Sequence, residues 1–297
     1  MTAAQLTVQR DGLRIAALDW GGDGTPLLLL HPNGLCAGLF EPLALRLRDE
    51  FRPVAVDLRG HGGTDTPTTP GGFGFPLMAA DVLAVLDRLG IDTAVALGQS
   101  LGGGVTVLVD ELRPGLLRRV LLCEPVAFSP EAMASRPTGE GPGDGGNFMS
   151  QIARKRRAVW PDRDAVLASY RSRPPFDVLA AESLAAYVQW GFVDRADGQV
   201  ELACAPEVEA TIFEVSGEPR GAPAAWRHLD GLTAPVTVAR GDHSDLPTEW
   251  FAMQAARARG ELVTLPGGHF FLQEDTARAE RLVRDQLTWD SASRSAG

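Results

Sequence analysis

Lysine is nearly missing from this 297-residue chain: Lys155 stands alone among 28 basic residues, and the rest are arginine. With 33 glycines and abundant alanine, that bias points to a GC-rich bacterial genome and carries no functional message. Cysteine is scarce too. Cys36, Cys123 and Cys204 are odd in number and far apart, which excludes a disulfide framework and fits no metal-ligand spacing, so three reduced and buried thiols are expected. No segment approaches the roughly 20 consecutive apolar residues that span a bilayer, and residues 1–12 lack the apolar stretch of a secretory signal. A cytoplasmic protein without membrane association is expected. Positive charge is in deficit, with 38 acidic against 28 basic residues and a net charge of -10. Such a surface repels phosphate backbones and anionic lipid, which excludes nucleic acid as a natural partner.

What is present is ordinary globular composition, 44% hydrophobic and 22% charged, in a length that suits one large domain carrying an insertion. Residues 5–10 and 14–20 alternate apolar and polar around Asp11-Gly12, the pattern of a hairpin with a tight turn. Short apolar runs follow at 26–30, 53–56, 93–97 and 120–122, and again at 235–239 and 261–265. Such runs are what strands covered on both faces look like. Between them lie segments of helical period, for example Leu77, Val82, Leu83, Leu86 and Leu89 before a stop at Gly90. Repeated βα units predict a mostly parallel, doubly wound α/β sheet of about eight strands. The alternation lapses between residues 125 and 230. There, 136–147 is rich in Gly and Pro and reads as a mobile loop, 148–157, 164–171 and 182–190 read as helices, and Asp197-Gly198 reads as the turn of a small hairpin. The predicted organisation is a first core segment over 1–124, a mainly helical cap over 125–230 inserted after the sixth strand, a second core segment over 231–290 and a flexible tail over 291–297. Trp160, Tyr187, Trp190, Phe192 and Phe213 in the cap either line a pocket or pack the cap onto itself.

The chemistry-bearing segment is Ala94 to Gly104, an apolar strand, the turn Gly98-Gln99-Ser100-Leu101-Gly102 and the start of a helix. A bare G-x-S-x-G is a weak signal in a glycine-rich chain; its placement between strand and helix makes it a nucleophile elbow, with Ser100 lifted above the sheet. A serine hydroxyl needs a base to take its proton. Of the five histidines, His269 follows the last strand in Pro266-Gly267-Gly268-His269, where the loop overhangs the elbow. His31 and His61 are expected to make structural hydrogen bonds, and His228 to lie on the cap surface. The base in turn needs a carboxylate to fix its tautomer. The segment Gly241-Asp242-His243-Ser244-Asp245 follows the penultimate strand, and loop length favours Asp245, with Asp242 capping the turn. Glu124, at the end of a neighbouring strand, is the alternative. An oxyanion needs two donors: the Leu101 N–H at the start of the helix, and the Asn33 N–H in His31-Pro32-Asn33-Gly34, with the Asn33 amide as a possible extra. Pro32 has no N–H to give.

Together with Val56-Asp57-Leu58-Arg59-Gly60-His61-Gly62, which is similar to a D-x-R-G-x-G loop with a structural role, these motifs resemble the α/β-hydrolase superfamily over nearly the whole chain apart from cap and tail. His31-Pro32 departs from the His-Gly usual at the oxyanion loop. Epoxide hydrolases and haloalkane dehalogenases of that superfamily carry an aspartate at the elbow, so Ser100 argues against both chemistries. The resemblance is to the serine-dependent capped members: esterases, enol-lactone hydrolases, C–C bond hydrolases and cofactor-free perhydrolases. It implies hydrolysis of a small, largely apolar ester or lactone, with no metal or organic cofactor and a small molecule as sole partner. A receptor on the same fold would be marked by loss of Ser100 or His269, and neither is lost. Nothing in the sequence sets an oligomeric state.

Overall fold

The computed structural model describes residues 3–134 and 148–289. The chain opens with β1 (Ala4–Arg10), β2 (Leu13–Asp19) and β3 (Thr25–Leu30), then α1 (Glu41–Leu47), β4 (Phe51–Val56), α2 (Phe75–Leu89), β5 (Ala94–Gln99), α3 (Leu101–Leu112) and β6 (Leu117–Cys123). After β6 come α4 (Pro130–Ala134), α5 (Phe148–Arg154), β7 (Val159–Trp160), α6 (Arg163–Tyr170), α7 (Ala181–Trp190), β8 (Phe192–Asp194), β9 (Val200–Leu202), α8 (Pro206–Ser216) and α9 (Ala222–His228). The chain then returns to the main sheet with β10 (Val236–Gly241), α10 (Thr248–Arg257), β11 (Glu261–Leu265), α11 (Phe271–Glu274) and α12 (Thr276–Leu287).

Eight strands form one sheet in the order β1-β2-β4-β3-β5-β6-β10-β11. β2 is antiparallel to both neighbours, and every pairing from β4 to β11 is parallel. The β1–β2 register pairs Arg10 with Leu13 across a two-residue turn, where Asp11 and Gly12 both have positive φ, the geometry that matches strand twist. β3 shows why the interior strands read as unbroken apolar runs. Leu28 and Leu30 face one core layer beneath α2, α3 and α10, while Leu27 and Leu29 face the other, beneath α1 and α12. Each side of a period-2 strand is therefore buried. Strand order reverses direction beside β3, so the carboxyl ends of β3 and β5 open onto a common crevice.

The insertion between β6 and β10 is mainly helical. It also carries a three-stranded sheet, β7-β9-β8, whose β8–β9 hairpin turns near Asp197-Gly198 as expected, with Gly198 at φ +80°. β7 is two residues long and leaves no sequence signature. Trp160, Tyr187 and Phe192 pack with Tyr170 and Phe176 into a cluster that also takes in Leu35, Cys36 and Leu39 after β3, with Tyr170 and Phe176 stacked at 4.5 Å. Ala224, Ala225 and Leu229 instead join the core layer beneath the sheet, so the last part of the insertion is anchored to it. The expected loop at 136–147 and tail at 291–297 lie outside the described residues. Among those described, no helix is long and apolar enough to cross a membrane.

Candidate active site

β5 runs fully buried into Gln99, and Ser100 breaks it with φ 55° and ψ -118° before α3 begins at Leu101. A non-glycine residue held there costs about 1–3 kcal/mol of backbone strain, which the surroundings must enforce. They do so by close approach. The Ser100 N–H donates to the Cys123 carbonyl at 2.9 Å, and its own carbonyl accepts from Val126 N at 2.8 Å. A Cβ on Gly102 would lie 2.1 Å from the Leu30 carbonyl oxygen, so only glycine lets the first turn of α3 touch the end of β3.

His269 lies between β11 and α11, as the sequence predicts, and Glu124 is the acid that meets it. His269 Nδ1 and Glu124 Oε2 are 2.7 Å apart. A carboxylate can only accept, so Nδ1 carries the proton and Nε2 keeps a lone pair. Glu124 is fully buried, sits directly after β6 at φ 46°, and its other bonds run to Gly241 N (2.9 Å) and Ser244 Oγ (2.8 Å). The expectation of Asp245 is corrected: that side chain is exposed and makes no hydrogen bond or ion pair among the described residues. β6 lies between the serine strand β5 and β10, so a glutamate at its tip already spans the gap, and the loop after β10 contributes only Ser244. Asp242 caps its turn as expected, accepting from Gly267 N at 2.9 Å.

Gln99, which sequence reasoning passed over, ties the elbow to the histidine loop. Its Nε2 donates to the His269 carbonyl at 3.1 Å, and its amide exchanges two hydrogen bonds with Gln273 of α11, at 3.1 and 2.8 Å. Both glutamines are buried. The available signal was a polar residue ending an otherwise apolar interior strand.

The Leu101 and Asn33 N–H groups have no protein acceptor among the described residues, so both remain free donors. Asn33 is aimed by its own peptide. The Pro32 carbonyl accepts from His31 Nδ1 at 2.8 Å and Leu35 N at 3.4 Å, which turns the Asn33 N–H to the opposite side of a trans peptide. The Asn33 side-chain amide is not an extra donor, because Nδ2 is committed to the Glu209 carbonyl at 3.0 Å. His61 Nε2 accepts from Gly34 N at 3.0 Å, and Asp57 accepts from Ala37 N and Gly63 N at 2.7 and 2.9 Å. Arg59 makes a two-pronged pair with Asp81. These roles of His31, His61 and the Asp57–Gly62 loop are structural, as expected. His228 departs from expectation: it is mostly buried, with Nε2 3.5 Å from the buried Asp110 of α3.

Burial holds His31 down at about 4 and His61 well below the usual histidine range, the latter helped by His31 itself. Burial also raises Asp57 to about 6. Below the unfolded value near 6.5, unfolded histidines take up protons that the folded pair refuses, so this stability is present above that pH and lost as pH falls toward 4. Asp57 opposes with one proton between about 6 and 3.8. Two histidines outweigh one carboxyl, and the unfolding free energy from denaturant titrations should fall by about 1.4 kcal/mol per pH unit from 6 to 4.5, carrying the midpoints down with it. Midpoints flat across that window would exclude the neutral, buried pair.

The alpha/beta hydrolase family model matches residues 27–284, and the chain belongs to that family. It is 28% identical over 264 residues to the 2-(acetamidomethylene)succinate hydrolase of Mesorhizobium japonicum, spanning 85% of this chain and 84% of that one. A crystal structure of E-2-(acetamidomethylene)succinate hydrolase superposes with a TM-score of 0.79 at 22% identity, covering 96% of this chain and 99% of the other. A shorter match, 35% over 103 residues, joins 34% of this chain to 35% of haloalkane dehalogenase 2 of Mycobacterium tuberculosis. These relatives are hydrolases.

Proposed function

We propose that this chain is a serine hydrolase that cleaves a small, largely apolar ester or lactone through an acyl-enzyme. The observation that carries the reading is the 2.7 Å bond from His269 Nδ1 to a buried carboxylate, with the same histidine's main chain tied to the residue before Ser100. In this reading His269 Nε2 takes the Ser100 proton as Oγ attacks the carbonyl carbon. The oxyanion is met by Leu101 N–H, at the positive end of α3, and Asn33 N–H. Collapse of the tetrahedral species expels the alkoxide, which His269 protonates. Water, activated by the same histidine, then releases the acid. Ser100 at the elbow speaks against a dehalogenase or epoxide hydrolase, whose nucleophile is an aspartate.

Neutral carbonyl substrates are favoured over anionic ones because Arg156, the arginine beside the oxyanion loop, is already paired with Glu209. Short-chain aryl esters or small lactones should be turned over with chelator present. The test is a pH-controlled screen of esters, lactones and β-diketones, coupled to mass spectrometry of the acyl-enzyme. Turnover of a diketone with none of any ester or lactone would move the assignment to C–C hydrolysis, and activity that requires added metal would reject the mechanism.

A further inference from the structure

Gly34, the residue after Asn33, is gripped by three side chains from separate segments of the insertion. Its carbonyl accepts from Arg156 Nη1 at 3.1 Å and from the Tyr187 hydroxyl at 3.1 Å. Arg156 Nη2 donates to the Tyr187 oxygen at 2.7 Å, which directs the phenol's own proton to Gly34. Burial pushes the Tyr187 phenol well above its usual range, so that proton stays on. Arg156 Nη1 also pairs with the Glu209 carboxylate, and the Glu209 carbonyl accepts from Asn33 Nδ2. Gly34 has φ +75°, and a Cβ there would fall 2.4 Å from the Glu209 carboxyl carbon, so the carboxylate lies directly on the Gly34 backbone. Three successive peptide units are thereby held: Pro32–Asn33 by His31, Asn33–Gly34 by His61, and Gly34–Leu35 by Arg156 and Tyr187.

The alternative use of such an arginine is to bind a substrate carboxylate. Its geometry argues otherwise. Both Nη atoms are committed, to Gly34 and Glu209 on one side and to Tyr187 and, at 3.4 Å, Tyr170 on the other, and its charge is neutralised where it sits. Charge-assisted bonds of this kind are roughly twice as strong as neutral ones, enough to fix a loop.

We infer that Arg156, Tyr187 and Glu209 are positioning residues through which the insertion sets the oxyanion loop, so that seating of the cap on Gly34 aims the Asn33 N–H at the reacting carbonyl. The inference rests on the serine-hydrolase reading above. A cap that only covered the pocket would affect substrate binding; one that sets a donor must affect the transition state.

The experiment measures kcat and KM on p-nitrophenyl acetate, the inhibition constant of phenylboronic acid as a tetrahedral adduct, and Ser100 labelling by a fluorophosphonate, for wild type and folded variants. Tyr187→Phe, which leaves the Arg156–Glu209 pair intact, should lower kcat about tenfold, and Arg156→Gln about 100-fold, below the full cost of deleting an oxyanion donor. In both, KM should stay within about threefold, and boronate affinity should fall in step with kcat. Arg156→Gln strands the Glu209 charge; if it does not fold, Arg156→Gln/Glu209→Gln takes its place, with the same expectation. Folded variants that keep wild-type kcat and boronate affinity, or that raise KM alone, overturn the inference. Wild type that neither labels at Ser100 nor turns over the ester overturns the serine-hydrolase reading itself, and the inference with it.

Discussion

Ser100→Ala and His269→Ala should each lower turnover by about 10⁴- to 10⁶-fold while leaving the melting transition in place, because in the proposed mechanism the two serve as nucleophile and base and act as a unit. The double variant should be little worse than either alone, the signature of two groups serving one step. The strained φ of 55° at Ser100 is imposed by bonds from Cys123 and Val126, which alanine preserves, so the elbow should persist without its hydroxyl. Circular dichroism and steady-state kinetics on the three variants read this directly. A folded Ser100→Ala enzyme with near-normal hydrolysis would remove the whole mechanism.

The second large effect separates the acids. Glu124→Gln should lose about 10⁴-fold in turnover, as when a triad acid is turned into its amide. The direction follows from its partners. The Gly241 N–H donates to Oε1, so in the variant the amide oxygen stays there and the NH₂ faces His269 Nδ1. That nitrogen must then accept, the proton moves to Nε2, and the imidazole loses the lone pair that would take the Ser100 proton. Asp245→Asn and Asp242→Asn should stay within about twofold of wild type, since exposed polar substitutions away from the reacting atoms cost little. A dead Asp245→Asn beside an active Glu124→Gln would restore the assignment that loop length favours.

The pattern of that one misassignment shows where sequence reasoning carries and where it runs out. The sheet was legible because doubly covered strands have no choice but to be apolar on both faces, as Leu27 to Leu30 are. The elbow was legible because glycine is needed at 98, where β5 passes against α3, and at 102, where α3 meets the end of β3. The place of His269, in the loop between the last strand and the helix after it, followed from its position behind the last apolar run. Asp245 failed because the spatial neighbour of His269 is decided by sheet order, β5-β6-β10-β11, in which the strand ending at Glu124 lies between those that lead to Ser100 and to His269, although 145 residues separate Glu124 from the histidine it meets. No local pattern encodes that adjacency. Arg156 was hidden for a different reason: it stands among Arg154, Lys155 and Arg157 with nothing in the sequence to set it apart, and it is Arg156 that turns inward onto Glu209. Its partners lie on helices with no motif of their own.

The Gln99–Gln273 pair joins the two halves of the site with two reciprocal amide hydrogen bonds and no charge. An ion pair in the same place would be just as firm, but it would set a full charge beside the histidine loop, in a buried medium where fields carry far. It would also come apart when either partner changed protonation. The amides do neither: they hold the loop that carries His269 against the residue before Ser100, and they add no charge to either. Acidity can therefore act on the His269–Glu124 contact and on the fold's margin of stability, while the tie between the elbow and the His269 main chain contains no group that titrates.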